Sequence, residues 1–178
     1  LFVRNFSFND GMIGDMDIYG EWKPKEEGVY LDADIRERDI ASVDVKGYIY
    51  PLKPKSGLDL DIRPQNANMK FLEFYTQSII SDIKGRTSGR IHLYGPFSAL
   101  NLEGSARADA TFKVNTLNTH FLLEDSVHFI PEKMFLQNAL ISDLEDRSGR
   151  VTGHILHEHF KDMKYRLEMQ ANQMLVMN

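Results

Sequence analysis

The sequence predicts a mainly β protein: one elongated antiparallel sheet of repeated hairpins, with a single short helix near residues 68–84. Three observations predict it. Apolar and polar residues alternate with period two along most of the chain, the pattern of strands with one buried face and one in water. The alternating stretches come in pairs, each joined by a short polar break. Two of the pairs also open alike, SGRIHLYGPFSALNLEGSARA at 88–108 and SGRVTGHILHEHFKDMKYRLEMQA at 148–171.

Taken in order, MIGDMDIYGEWKPKEEGVYLDADI (12–35) reads as strand, turn, strand. ASVDVKGYIYPLKPKSGLDLDI (41–62) repeats the unit. In it Ala41, Val43, Val45 and Ile49 share one face against Ser42, Asp44 and Lys46, and Leu58, Leu60 and Ile62 oppose Asp59, Asp61 and Arg63. NMKFLEFYTQSIISDIKG (68–85) breaks the alternation. Met69, Leu72, Tyr75 or Thr76, Ile79, Ile80 and Ile83 fall at helical spacing, Asn66 or Asn68 is placed to cap the start, and Gly85 follows the end. A helix this short is marginal alone, so its apolar stripe is expected on the sheet's apolar face.

The first Ser-Gly-Arg hairpin follows. FIPEKMFLQNALISDLED (129–146) gives conflicting periods, and strands broken at Pro131 are the preferred reading. In the last strand Met163, Tyr165, Leu167 and Met169 oppose Lys164, Arg166, Glu168 and Gln170. The first strand of each hairpin carries a glycine (Gly20, Gly47, Gly95, Gly153), where a bulge, bend or close backbone approach is expected. A unit written several times in degenerate form implies a repeat architecture in which each hairpin extends one sheet.

Composition bounds the rest. With 178 residues, 42% hydrophobic and 26% charged, the chain can build one domain with a real core, and nothing reads as a linker. The net charge is −5 with both signs interleaved and no basic run, which argues against a nucleic-acid partner. The absence of Cys excludes disulfides, thiolate metal sites and a thiol nucleophile. No apolar run reaches the ~18 residues of a membrane-spanning helix. The sequence opens at Leu1 already in strand-like pattern and without an initiator Met, so we read it as a segment of a longer protein.

Few residues suggest chemistry. Asp59 and Asp61 lie two apart on one strand face, a spacing of ~6–7 Å that approaches an inverting glycosidase pair. Asp32 and Asp34 hold the same place in the first unit, however, and a solvated polar face explains a copied pair better than catalysis. His154, His157 and His159 cluster beside Glu158, but on a straight strand His154 points away from the other two, so no metal site is expected. Ser88-Gly89 and Ser148-Gly149 lack the flanking glycines of a nucleophile elbow, and GRTSG at 85–89 lacks the Lys of a phosphate loop. Neither a catalytic residue nor a cofactor is expected.

At the level of whole segments, VDVKGYIYPLKPKSGLDLDI, followed by SDIKGRTSGRIHLYGPFSALNLEGSARA, resembles the TamB-like translocation and assembly module family of Gram-negative envelopes, within the AsmA-like group. The frame is carried by Gly85, Ser88, Gly89, Gly95, Pro96, Leu100, Leu102, Gly104 and Ala106. ISDLEDRSGRVTGHILHEHFKDMKYRLEMQANQMLVMN (141–178) is similar to the versions in Bacteroidetes-type bacteria.

The resemblance implies a sheet folded lengthwise into a taco or gutter with an apolar interior. It implies a periplasmic segment of a long protein anchored in the inner membrane. It also implies phospholipid acyl chains as cargo, neighbouring segments of the same protein as partners, and a TamA-like outer-membrane barrel as a further partner. The groove lining would then be Val43, Val45, Leu58, Leu60, Ile62, Ile91, Leu93, Leu100, Leu102, Val151, Ile155, Tyr165, Leu167 and Met169. Two other readings stand beside it. One is a scaffold or chaperone module that pairs client strands during outer-membrane protein assembly. The other is a carbohydrate-active β-sandwich using Asp59 and Asp61.

Overall fold

The computed structural model describes residues 2–8, 11–37, 41–77, 79–145, 147–159 and 161–171. Strands β1 (Phe2–Phe8), β2 (Gly11–Lys23), β3 (Gly28–Glu37), β4 (Ala41–Tyr50), β5 (Gly57–Gln65), β6 (Ala67–Asn68), β7 (Ile80–Pro96), β8 (Asn101–Val114), β9 (Thr119–Ile130), β10 (Lys133–Ser142), β11 (Ser148–Glu158) and β12 (Lys161–Ala171) form one antiparallel sheet. The order follows the chain from β1 to β12, except that β7 pairs both β5 and the short β6. The stretch around Pro131 is a turn between β9 and β10.

Register carries one apolar face across the whole sheet. Trp22 lies opposite Val29, Val29 opposite Ile49, Ile49 opposite Leu58, and Leu60 opposite Leu93, which faces Leu102. Directly opposed residues share a face, so the inward set stays inward from strand to strand. The outward face pairs charge instead. Lys46 Nζ reaches Asp32 at 3.0 Å, Arg90 reaches Asp61 at 2.9 Å and His92 Nε2 reaches Asp59 at 2.8 Å.

The sheet is curled rather than flat. His159 Nδ1, in the turn after β11, donates to the Leu100 carbonyl in the turn before β8, at 3.3 Å. In a flat sheet three strand spacings would hold β8 and β11 about 14 Å apart. Small inward residues on β8 suit the curl. Ala106, Ala108 and Ala110 are all buried, and the bulk inside the bend comes from Phe121 on β9, which is fully enclosed. Phe121 packs with Ala108, Leu123, Ala139, Ile141 and Val151, and Met69, Leu117 and Met169 close over them.

The helix is shorter than its spacing predicts. Only a 3-10 turn (Lys70–Leu72) and one α-turn, α1 (Glu73–Thr76), form. Asn68 does serve the start, its side chain accepting the Lys70 N–H at 2.9 Å. Residues 80–84 belong instead to β7, where Ile80 faces Val114 and Lys84 faces Thr111, with a register shift between. Two effects favour the strand. Isoleucine is stiff in a helix and packs well on a pleated face. Joining a 17-residue strand also satisfies each backbone group through a ladder already in place, whereas an isolated helix of this length must nucleate.

Gly47 marks a close approach. Its φ is +146°, and a Cβ there would lie 2.0 Å from the Asp59 carbonyl oxygen. Gly20 shows neither feature, since a Cβ on it would meet only ordinary contacts, so the close approach expected there does not occur.

Phe121→Ala is expected to cost about 3–5 kcal/mol, because the curled sheet cannot collapse onto the void without moving four strands. Gly47→Ala is expected to cost more than ~1 kcal/mol through strain and clash. Urea unfolding midpoints of the two variants check both, and a Phe121→Ala cost under ~1 kcal/mol would mean that the site relaxes freely.

Candidate functional site

The candidate site is the inward face itself. Val43 and Val45 come from β4, Leu58, Leu60 and Ile62 from β5, and Ile91 and Leu93 from β7. Leu102 comes from β8, Val151 and Ile155 from β11, and Tyr165, Leu167 and Met169 from β12. The ladders place these side chains on one face. Val45 pairs Ile62, Ile62 pairs Ile91, Val151 pairs Met169, and Ile155 pairs Tyr165. Leu100 stands apart, in the turn between β7 and β8, half-buried and holding His159 through its carbonyl.

Burial along this face is graded, which the alternation alone does not predict. At one end of the strands Met16, Ile35, Ala67, Ile83, Ala110, Phe121, Ile141 and Val151 are buried. That end carries the insert of residues 66–79. Met69 of the insert lies on the core, the 3-10 turn touches β2, and Asn115 ties the insert to β8 by donating Nδ2–H to the Gln77 carbonyl at 2.8 Å. Toward the other end Leu58, Ile91, Leu93, Leu102 and Ile155 are only half-buried, and Trp22 is exposed. Leu60, at 7% exposure, and Val151, at 2%, therefore belong to packed core rather than to an open lining. Tyr165 (64%) and Leu167 (52%) lie on the bare last strand.

The apolar face also carries, in mid-strand, a carboxylate that pattern reading missed. Asp125 lies opposite Ala108, on the inward side of β9. Its neighbour β10 breaks register between Leu136 and Ala139, and Asn138 takes a φ of +52°. The break is filled by side chains. Asp125 accepts the N–H of Ser126 at 2.7 Å and of Leu140 at 3.2 Å. Thr152 Oγ1 accepts the Asn138 N–H, and Arg150 donates to the Asn138 carbonyl, each at 3.0 Å. The N–H of Ser126, then that of Leu140, hold the Asp125 carboxyl below the usual carboxylate range. A charged residue inside an otherwise clean alternation was the available signal. Asp143 plays a similar part in the β10–β11 turn, where its buried carboxylate accepts the N–H groups of Glu145 and Arg147 and pairs with the Arg147 guanidinium at 2.8 Å.

The other candidates scatter. Asp59 and Asp61 lie on the outward face beside His92 and Arg90, and the Arg90 guanidinium holds the Asp61 carboxyl below its ordinary range, the opposite of what a general acid needs. His154 pairs Phe135 and Arg166 across the ladders, His157 is buried with its imidazole pulled down in pKa by desolvation, and His159 sits in the turn beyond. Among the described residues no three His, Asp, Glu or Cys side chains are grouped to hold a metal ion. No described helix is long and apolar enough to cross a membrane.

No family model, curated protein or solved structure matches the chain.

Asp125 makes stability depend on acid. Because its folded pKa is depressed, its contribution is full above the unfolded carboxylate value near ~3.9 and is lost as pH falls through the folded value. Asp125→Asn, which replaces one accepting oxygen with a donor facing the Leu140 N–H, is expected to cost about 1–3 kcal/mol at neutral pH and to flatten the acid limb of the stability curve. Unfolding midpoints measured between pH 6 and pH 2 test this, and parallel curves for the two proteins would remove Asp125 from the account.

Proposed function

We propose that this chain is a lipid-carrying segment of a TamB-like envelope protein, with phospholipid acyl chains lying against the inward face of the curled sheet in the periplasm. The observation that carries the reading is the inward face itself. It keeps to one side of the sheet from β2 to β12 across several register shifts, it is apolar over that span apart from glycines, threonines, Glu37, Asp125 and His157, and on the side of Leu58, Leu93, Leu102 and Ile155 it is only half-covered. The proposal extends to neighbouring segments of the same protein and a TamA-like barrel as partners, with no catalytic chemistry.

The physics asks for such a face. Drawing a ~15-carbon chain into water costs ~0.8 kcal/mol per methylene, on the order of 12 kcal/mol. At ~1.4 kcal/mol per decade of rate, that slows transfer between membranes by roughly eight decades. A trough that keeps the chain dry while the headgroup stays wet removes most of that barrier. The grading of burial narrows where the chain would lie. The half beneath the insert is filled by Phe121 and its neighbours, so acyl chains are placed in the shallow half, with headgroups toward the exposed hairpin turns.

A scaffold that pairs client strands is the second reading, and the exposed strand β12 favours it.

The deciding experiment places a photo-crosslinking residue at Leu58, Leu102, Asp59 or Glu103 in the protein expressed in a Gram-negative host, followed by mass analysis of the adducts. Phospholipid adducts at Leu58 and Leu102 and none at Asp59 or Glu103 are expected. No lipid at any position would reduce the face to ordinary core and move the scaffold reading ahead. Leu102→Asp is expected to lower co-purified phospholipid several-fold and keep the fold, because the position is half-exposed, whereas Leu60→Asp is expected to unfold the protein.

A further inference from the structure

We propose that the β11–β12 turn and the β7–β8 turn form a clasp that a proton opens: with His157 neutral they hold this end of the curl shut, and protonation of His157 releases them. The inference concerns the curl itself and does not rest on what the trough carries. Three observations meet at this corner of the sheet. His159, in the turn after β11, crosses the curl and donates from Nδ1 to the Leu100 carbonyl, at 3.3 Å. Two residues earlier, His157 continues the inward row of Val151, Gly153 and Ile155, and only 5% of its surface is exposed. The turns around it hold left-handed backbone at non-glycine residues, with φ of +62° at Glu132, +47° at His159 and +48° at Asp162. Such residues keep that conformation only while their surroundings hold it.

Dryness at His157 depends on the curl being shut. The residue lies near the end of β11, and β12 beside it is exposed from Lys161 to Glu168 and gives little cover. Its backbone N–H is bonded to the Glu132 carbonyl in the β9–β10 turn, at 2.9 Å, which fixes the ring toward the inside of the bend. The opposite wall, Phe97 to Leu100, carries no titratable side chain to meet a charge. On the neighbouring elements Lys133, Lys164 and the facing pair Glu158 and Lys161 belong to the outward row, and Asp162 stands at the exposed start of β12. A proton on His157 therefore puts a cation in the least hydrated place at this corner.

The sign follows from burial. Desolvation lowers the His157 pKa, the nearby Glu132 carboxylate opposes that shift, and His159 adds to it. The closed state is thus favoured above the ordinary imidazole value of 6.5 and loses that advantage as pH falls from 6.5 toward the depressed value. Within that window one proton raises the open-to-closed ratio by up to about tenfold per pH unit. His159 does not reverse the direction. Its ring already donates to Leu100 when neutral, and once His157 is charged two cations two residues apart repel each other.

The absence of Cys lets spin labels be placed singly on the two turns. Ser98→Cys and Lys161→Cys put them at exposed positions. Pulsed electron-spin distance measurements are expected to give one short, narrow distance at about pH 7.5, and a longer population that grows as pH falls below 6.5. His157→Phe, which takes no proton, is expected to keep the short distance down to about pH 5, and His159→Ala to broaden it at every pH. Titration of the His157 ring by NMR needs no substitution. Its midpoint is expected below 6.5 and coincident with the opening, while far-ultraviolet circular dichroism stays constant. A distance indifferent to pH, opening that persists in His157→Phe, a His157 midpoint at or above 6.5, or opening seen only with loss of the dichroism signal would each overturn the inference.

Discussion

Every inward side chain in this protein depends on one quantity, the shared parity of the strand ladders. From β2 to β12 each residue that faces inward stands opposite another that does the same, so a single uncorrected slip would turn the apolar set of every later strand to water. The slips that do occur are contained. Where β10 loses step between Leu136 and Ala139, Asp125, Thr152 and Arg150 supply the partners that the backbone lacks, and parity is regained at once. The break in β7 between Ser81 and Lys84 is held similarly, with the Asp82 N–H bonded to Glu73 and the Ser81 hydroxyl bonded to Asn115. Polar residues around these breaks do not dilute the apolar face. They preserve it.

Parity says which way a side chain points, and curvature says how much covers it. Four inward alanines, at 106, 108, 110 and 139, let the sheet bend tightly, and one phenylalanine fills the bend. The insert after β5 then lies over the same end. Together they divide the apolar face into a dry half that supplies stability and a shallow half that stays only partly covered.

Much of this was legible in the sequence, and the reasons are physical. Period-two alternation is set by strand geometry alone, so the hairpins at 12–35, 41–62, 88–108 and 148–171 are visible without any partner. The break at Pro131 was visible because proline cannot donate to a ladder. The helix at 68–84 misled because isoleucines at 79, 80 and 83 satisfy helical spacing, while their preference is decided by the neighbouring strand β8, which a local window does not contain. The grading of the face was hidden for the same reason. Leu58 and Leu60 look alike in sequence, yet the folded sheet buries the second more deeply.

Among the described residues the strands pair in chain order, each against the one just before it, apart from the insert between β5 and β7. A fold written this way has no long loop to close before it gains contacts, so the entropic cost of each added strand is small and nearly constant. The sheet can then grow from either end, one strand at a time, as chain becomes free. A polypeptide that emerges slowly through a narrow exit would bury each new apolar row on the row already laid down, and only its advancing edge would remain open to solvent at any moment.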